Sequence, residues 1–181
     1  LLMVDSAYGP TRTLCKTLLS RFGITTTFYD PLVGADIEKL IQRETRIVFT
    51  ESPGAQTFEI QDISAISHAA HERDCIVVMD NTWATSLFFK PFAHGVDVIV
   101  QAATKYILGH SDAMLGVITT NEESFDLIQR AALDFGAPPG PDDVYLAQRG
   151  LRTLGVRLQR HMDTGLKLAS WLELHPQVER V

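Results

Sequence analysis

The sequence predicts an α/β fold, with a mostly parallel central sheet flanked by helices. Short apolar runs alternate with amphipathic stretches along the whole chain, the pattern of strands layered by helices. Two of those runs, 75–79 and 96–100, read as buried strands, and 75–79 is continuously apolar, as a strand buried on both faces of a parallel sheet is. The chain has 181 residues, 45% hydrophobic and 21% charged, enough to bury a core as one soluble domain.

Taken in order, residues 1–4 form a strand, and Tyr8-Gly9-Pro10 is a loop leading to a helix over 11–22. Residues 24–29 alternate and are rich in threonine, so a second strand is expected there. A short helix follows at 36–42, then a strand at 46–50 that feeds the loop Glu51-Ser52-Pro53-Gly54. Asp62 is placed to cap a helix running to about residue 73. The apolar strand 75–79 ends at Asp80-Asn81-Thr82-Trp83, and the strand 96–100 ends at Gln101-Ala102-Ala103-Thr104-Lys105. A strand over 113–119 and a helix over 122–135 come next. A proline- and glycine-rich loop at 138–141 opens a long, bent helical stretch from Asp142 to Leu174. No repeat or low-complexity segment interrupts this order.

Charge and cysteine usage narrow the function classes. Twenty-two acidic residues against sixteen basic ones give a net charge of −6, which speaks against a nucleic-acid surface. Arg149, Arg152, Arg157 and Arg160 recur at helical spacing and are expected to form a solvated face or a subunit contact. Cys15 and Cys75 match no metal or redox spacing and are expected to be buried thiols. His68 and His71 with Glu72 lack a third ligand, so no metal site is expected. His110-Ser111-Asp112 cannot form a triad, whose members must converge in space. No apolar run approaches a membrane span and no signal peptide is visible, so a cytoplasmic protein without membrane contact is expected. The chain opens in a strand, without an initiator methionine, and closes on 178–181 as though entering another element. A piece of a longer protein is the expectation.

Two strand ends carry unusual groups. Ligands of open α/β sheets bind beyond the carboxyl ends of the strands, where Asp80 and Lys105 are expected here. An amine and a carboxylate at one sheet edge suit pyridoxal phosphate: the amine forms the covalent link, and the carboxylate keeps the pyridine nitrogen protonated. Only a neutral amine attacks an aldehyde, so partial desolvation of Lys105 is expected. By spacing alone, the aspartate could equally serve a metal or a ribose. A dinucleotide site is disfavoured, because no Gly-x-Gly-x-x-Gly turn follows a strand.

The wording around the pair is more specific. Met79-Asp80-Asn81-Thr82-Trp83-Ala84, Gln101-Ala102-Ala103-Thr104-Lys105-Tyr106 and Gly109-His110-Ser111-Asp112 closely resemble the Cys/Met-metabolism family of pyridoxal-phosphate enzymes. The resemblance runs from Tyr8-Gly9-Pro10-Thr11 to Arg149-Gly150-Leu151-Arg152-Thr153-Leu154. Trp83, the wording of 101–105 and Glu51-Ser52-Pro53-Gly54 look most like its bacterial β-eliminating branch.

The resemblance implies the aspartate aminotransferase-like fold, type I, with 1–181 as an incomplete cofactor-binding large domain. It implies that an N-terminal segment and a C-terminal small domain lie outside. Lys105 would be the Schiff-base lysine and the catalytic acid/base, and Asp80 the partner of the pyridinium nitrogen. Thr104 would donate its hydroxyl to the cofactor phosphate, and Tyr8 would stack on the ring and share in catalysis. Two positions depart from the family: Ala55 stands where relatives have an asparagine for the ring hydroxyl, and Ala102 where many have a phosphate-binding serine. The implied reaction is β-elimination from a small sulfur amino acid, cystathionine, giving homocysteine, pyruvate and ammonia in methionine synthesis. A γ-acting relative and a non-catalytic homologue are the alternatives. A homo-oligomer, a homotetramer for the whole protein, is implied as well, and the isolated piece is expected to be inactive.

Overall fold

A computed structural model describes residues 1–181. The chain groups into two compact units, 1–101 with 116–138 and 102–115 with 139–181, where the sequence reading carries a single domain.

The first unit is built on a six-stranded sheet. Its strands are β1 (Leu2–Val4), β2 (Thr27–Tyr29), β3 (Ile47–Glu51), β4 (Ile76–Asp80), β5 (Val98–Ala102) and β6 (Gly116–Thr120), ordered β2-β1-β3-β4-β5-β6. The first five pair in parallel among themselves. The residue after β6 donates to the one before β5 (Asn121 N–H to Asp97 O, 2.9 Å), so β6 runs antiparallel at one edge. This is the α/β sheet that the alternating runs predict. Parallel pairing needs crossovers, and these are supplied by the helices α1 (Gly9–Leu14) and α2 (Ile63–His71), a 3₁₀ turn (Gly34–Leu40), and the short α3 (Thr85–Phe88).

The core lies where α2 meets the sheet. Val4, Val48, Ile66, Ala70, Val77 and Met79 are wholly buried. Along β4 full and partial burial alternate, so Val77 and Met79 face the packed side while Ile76 and Val78 keep some exposure. That differs from the two-sided burial expected of a continuous apolar run. Cys15 and Cys75 are both free and buried, as expected.

Boundaries differ from expectation in the first helix, in the second strand, and in the last strand, expected over 113–119 and formed at Gly116–Thr120. Helix formation begins at Gly9, because Pro10 fits a first helical turn. The same helix then widens into a π turn at Cys15–Leu19. Thr17 and Ser20 hydroxyls bond back to the carbonyls of Thr13 and Lys16 there, a competition with the backbone that distorts helices. The strand expected at 24–29 is paired over Thr27–Tyr29 alone, since β1 offers only three residues opposite it.

Helix α4 (Glu122–Asp134) completes the first unit, with Asn121 capping it through Ser124 N–H at 2.9 Å. The second unit holds the 102–115 segment and two helices, α5 (Pro141–Leu151) and α6 (Leu154–Glu173). The bend expected after Asp142 is a full break at Arg152-Thr153. No helix is long and apolar enough to cross a membrane.

Candidate active site

Three strand ends of the first unit meet at its carboxyl edge. β3 and β4 are in register at their last residues, Glu51 opposite Asp80, and Asp80 lies opposite Val100 of β5. Asp80 thus ends a central strand, the position that brings a carboxylate to the ligand-binding edge of such sheets. One of its oxygens accepts from Thr82 N–H at 2.9 Å. This local turn fixes the side chain beyond the strand rather than back along it. Asn81, wholly buried, secures the same turn: its N–H reaches Val100 O at 3.0 Å and its carbonyl accepts from Gln101 Nε2 at 3.2 Å. Trp83 follows and meets Phe58 edge to face, ring centres 5.2 Å apart.

Tyr8 sits at the N-cap of α1. Its backbone N–H donates to Glu51 Oε2 at 2.8 Å, so the last residue of β3 places it. Sequence reading missed this role of Glu51. The carboxylate is buried, 4% exposed, whereas the Tyr8 residue is 48% exposed. A buried polar chain backs Glu51: Gln61 Nε2 donates to its carbonyl at 2.7 Å and Tyr29 Oη donates to Gln61 Oε1 at 2.9 Å. Burial pushes the Tyr29 phenol well above its ordinary range, so it stays a neutral donor. The loop after β3 is drawn against the one after β1 by Ala55 N–H to Ser6 O, 2.9 Å. A methyl on Gly54 would stand 2.8 Å from Ser6 Cβ, so glycine is required for that approach. The clue available in sequence was the polar ending of a buried strand, Thr50-Glu51-Ser52.

Thr104 and Lys105 belong to the second unit, in a compact turn that follows β5. Lys105 N–H donates to Ala102 O at 3.0 Å, Leu108 N–H to Ala103 O at 2.9 Å and Gly109 N–H to Lys105 O at 2.8 Å. Lys105 is exposed. Thr104 Oγ1 accepts from Leu115 N–H at 2.9 Å and donates to Leu115 O at 3.2 Å. A hydroxyl has one proton to give, so a phosphate at Thr104 would compete with a long bond to a carbonyl.

His68 is exposed, and His71 Nε2 meets Asp97 Oδ2 at 3.0 Å, a pairing within the fold rather than a metal face. Arg149 pairs with Asp112 at 3.3 Å, while Arg157 turns onto main-chain carbonyls. Arg157 thus departs from the solvated face or subunit contact expected of the four arginines, since its guanidinium is engaged by carbonyls within the second unit.

The groups expected from sequence have a definite chemistry, each taken in its own unit: in the first a carboxylate ending a strand and a half-exposed phenol ring, in the second a primary amine and a hydroxyl. These suit a pyridine nitrogen, an aromatic face, an aldehyde and a phosphate, the four features of pyridoxal phosphate. Ala55 and Ala102 remove two further polar contacts without touching that set.

A putative cystathionine β-lyase of Rhizobium johnstonii is 49% identical over 99% of this chain and 46% of its own length. The cystathionine β-lyase MetC of Escherichia coli is 47% identical, with the same two coverages. The crystal structure of cystathionine γ-lyase from Lactobacillus plantarum, complexed with L-serine, superposes with a TM-score of 0.92 at 32% identity. That match covers 97% of this chain and 46% of the other. The chain thus spans about half the length of the curated relatives it matches, and its fold is that of the type I large domain. The family model for Cys/Met-metabolism PLP-dependent enzymes matches residues 1–181 throughout, and the chain belongs to that family.

Proposed function

We propose that this chain is the cofactor-binding large domain of a carbon–sulfur β-lyase, acting on cystathionine to release homocysteine, pyruvate and ammonia. The observation that carries the reading is Asp80, held at the end of a central parallel strand by Thr82 and in register with Val100, five residues before Lys105 along the chain. The identity to proteins named cystathionine β-lyase supports the substrate class.

Lys105 would hold pyridoxal phosphate covalently and Asp80 would face its ring nitrogen, with Thr104 toward the phosphate and Tyr8 against the ring. When bound, the cofactor supplies an electron sink for the α-carbon of an amino acid. Lys105 Nζ would take the α-proton and pass it to the sulfur that departs from the β-carbon as the thiol, work that adds about 10²–10⁴-fold to a rate. The Asp80 carboxylate keeps a proton on the ring nitrogen by its charge. Glu51 keeps Tyr8 at its station through the backbone. The whole enzyme is proposed to be a cytoplasmic homotetramer with a small-molecule substrate.

Cystathionine supplied to the whole enzyme is expected to yield pyruvate. The Lys105→Ala variant is expected to lose both turnover and the yellow absorbance of lysine-bound cofactor; a wild-type spectrum would end the assignment. A γ-acting enzyme is the second reading, favoured by the likeness to the L. plantarum γ-lyase. 2-Oxobutyrate in place of pyruvate would select it.

A further inference from the structure

We propose that Arg157 is a positioning residue, which fixes the aim of the Lys105 amine by locking the turn that carries it. The proposal rests on Lys105 being the cofactor lysine and concerns how that lysine is held.

Arg157 lies in the first turn of α6, and its guanidinium spends its donors on three main-chain carbonyls and one hydroxyl of the second unit. Nη1 donates to Tyr106 O at 2.7 Å, the carbonyl next to Lys105. Nη2 reaches Gly150 O at 2.9 Å and Ile107 O at 3.4 Å, and Nε donates to Thr153 Oγ1 at 3.0 Å. One planar fork thus ties the turn after Lys105 to the end of α5 and the start of α6. Hydrogen bonds from a charged donor are about twice as strong as neutral ones. The fork shape is what permits several carbonyls at once.

Two glycines make room for this lock. Gly109 closes the lysine turn at φ +81°, and a methyl there would lie 2.6 Å from Arg157 Cζ. Gly150 is buried in α5, and a methyl there would lie 2.6 Å from Leu108 O and collide with Ile107 O. A glycine inside a helix is unfavourable against alanine, so its presence at that contact reflects the close approach. Lys105 itself is exposed and its side chain is long. What the turn fixes is therefore the origin and direction of that side chain, and misplacement by about 1 Å can cost 10²-fold in rate.

The test uses the cofactor-loaded whole enzyme and its apo form. Apo enzyme is mixed with pyridoxal phosphate, reduced with borohydride at timed intervals, and the modified peptide located by mass spectrometry. Arg157→Met, with unchanged circular dichroism, is expected to slow capture at Lys105 about tenfold, since a charged hydrogen-bond donor is worth about 1.5–3 kcal/mol. Turnover should fall about 10–100-fold with KM nearly unchanged. Arg157→Lys keeps the charge and one donor and should recover part of the capture rate. Gly109→Ala, which drives the guanidinium off, should copy Arg157→Met. Wild-type capture and turnover in folded Arg157→Met would overturn the proposal. If that variant does not fold, Arg157→Lys decides: wild-type capture refutes the lock, and slowed capture in a folded protein supports it. Capture unchanged in Lys105→Ala would refute the lysine assignment instead, leaving the two failures distinguishable.

Discussion

Asp80 shows how much of the proposed chemistry rests on one side chain and how little of its holding was legible beforehand. The residue is visible in the sequence as an acid after an apolar run. Its Asx contact to Thr82 and its register with Glu51 and Val100 are products of folding. Asp80→Asn separates the two roles, because an amide oxygen still accepts from Thr82 N–H while the charge is lost. Turnover is expected to fall about 10²–10³-fold, as when a fixed electrostatic partner of a reaction is removed. The melting temperature should fall little, since asparagine keeps the hydrogen bond at this half-buried position and a typical point substitution costs about 1 kcal/mol. Wild-type turnover would remove Asp80 from the site. Glu51 was not legible as a positioning group, although its Glu-Ser-Pro-Gly context was conspicuous. Its value comes from burial beneath Gln61 and Tyr29, which are distant in sequence. Thr104 was legible as a hydroxyl beside the lysine, and its engagement with Leu115 was not, because that partner comes from the far side of a loop.

At the scale of elements, capping chemistry was the best guide and hydroxyl-rich helices the worst. Asp62 reads as an N-cap, and its Oδ1 accepts from Ala65 N–H at 3.0 Å at the start of α2. That helix carries Ile66 and Ala70 into the core, so its stability is the sheet's as well. Asp62→Ala is expected to cost about 1 kcal/mol, measured by chemical denaturation with an unchanged slope. A loss below about 0.3 kcal/mol would mean that packing alone holds the first turn. By contrast, periodicity over 11–22 gave no sign of the π turn, because Thr17 and Ser20 fit a helical pattern equally well while diverting its hydrogen bonds. The break at Arg152-Thr153 was read only as a bend. Thr153 there takes the non-helical φ of −112° that starts α6, and its hydroxyl receives Arg157 Nε.

For the molecule as a whole, apolar runs announced a parallel sheet, yet the order β2-β1-β3-β4-β5-β6 could not be read from them, since strand pairing joins residues far apart in sequence. The buried thiols offer a way to ask whether that sheet unit opens as one body. Cys15 lies in the π turn and Cys75 just before β4, each 3% exposed and both within the first unit. Burial raises both thiols above their ordinary pKa. An unfolded thiol ionises near pH ~8.5, so above that pH the unfolded chain releases protons that the folded chain retains. Stability from these groups is therefore whole below that pH and declines as pH rises through it. Alkylation near pH 8 should be slow for native protein and fast in denaturant, because the reactive thiolate needs both exposure and ionisation. If the sheet and its helices open together, Cys15 and Cys75 should be labelled at one common rate, and that rate should climb in parallel with added denaturant. Labelling of Cys15 well ahead of Cys75 would show instead that the π-turned helix frays from a sheet that remains closed. The widened turn would then be a weak point of the fold, despite Cys15 sitting within the core.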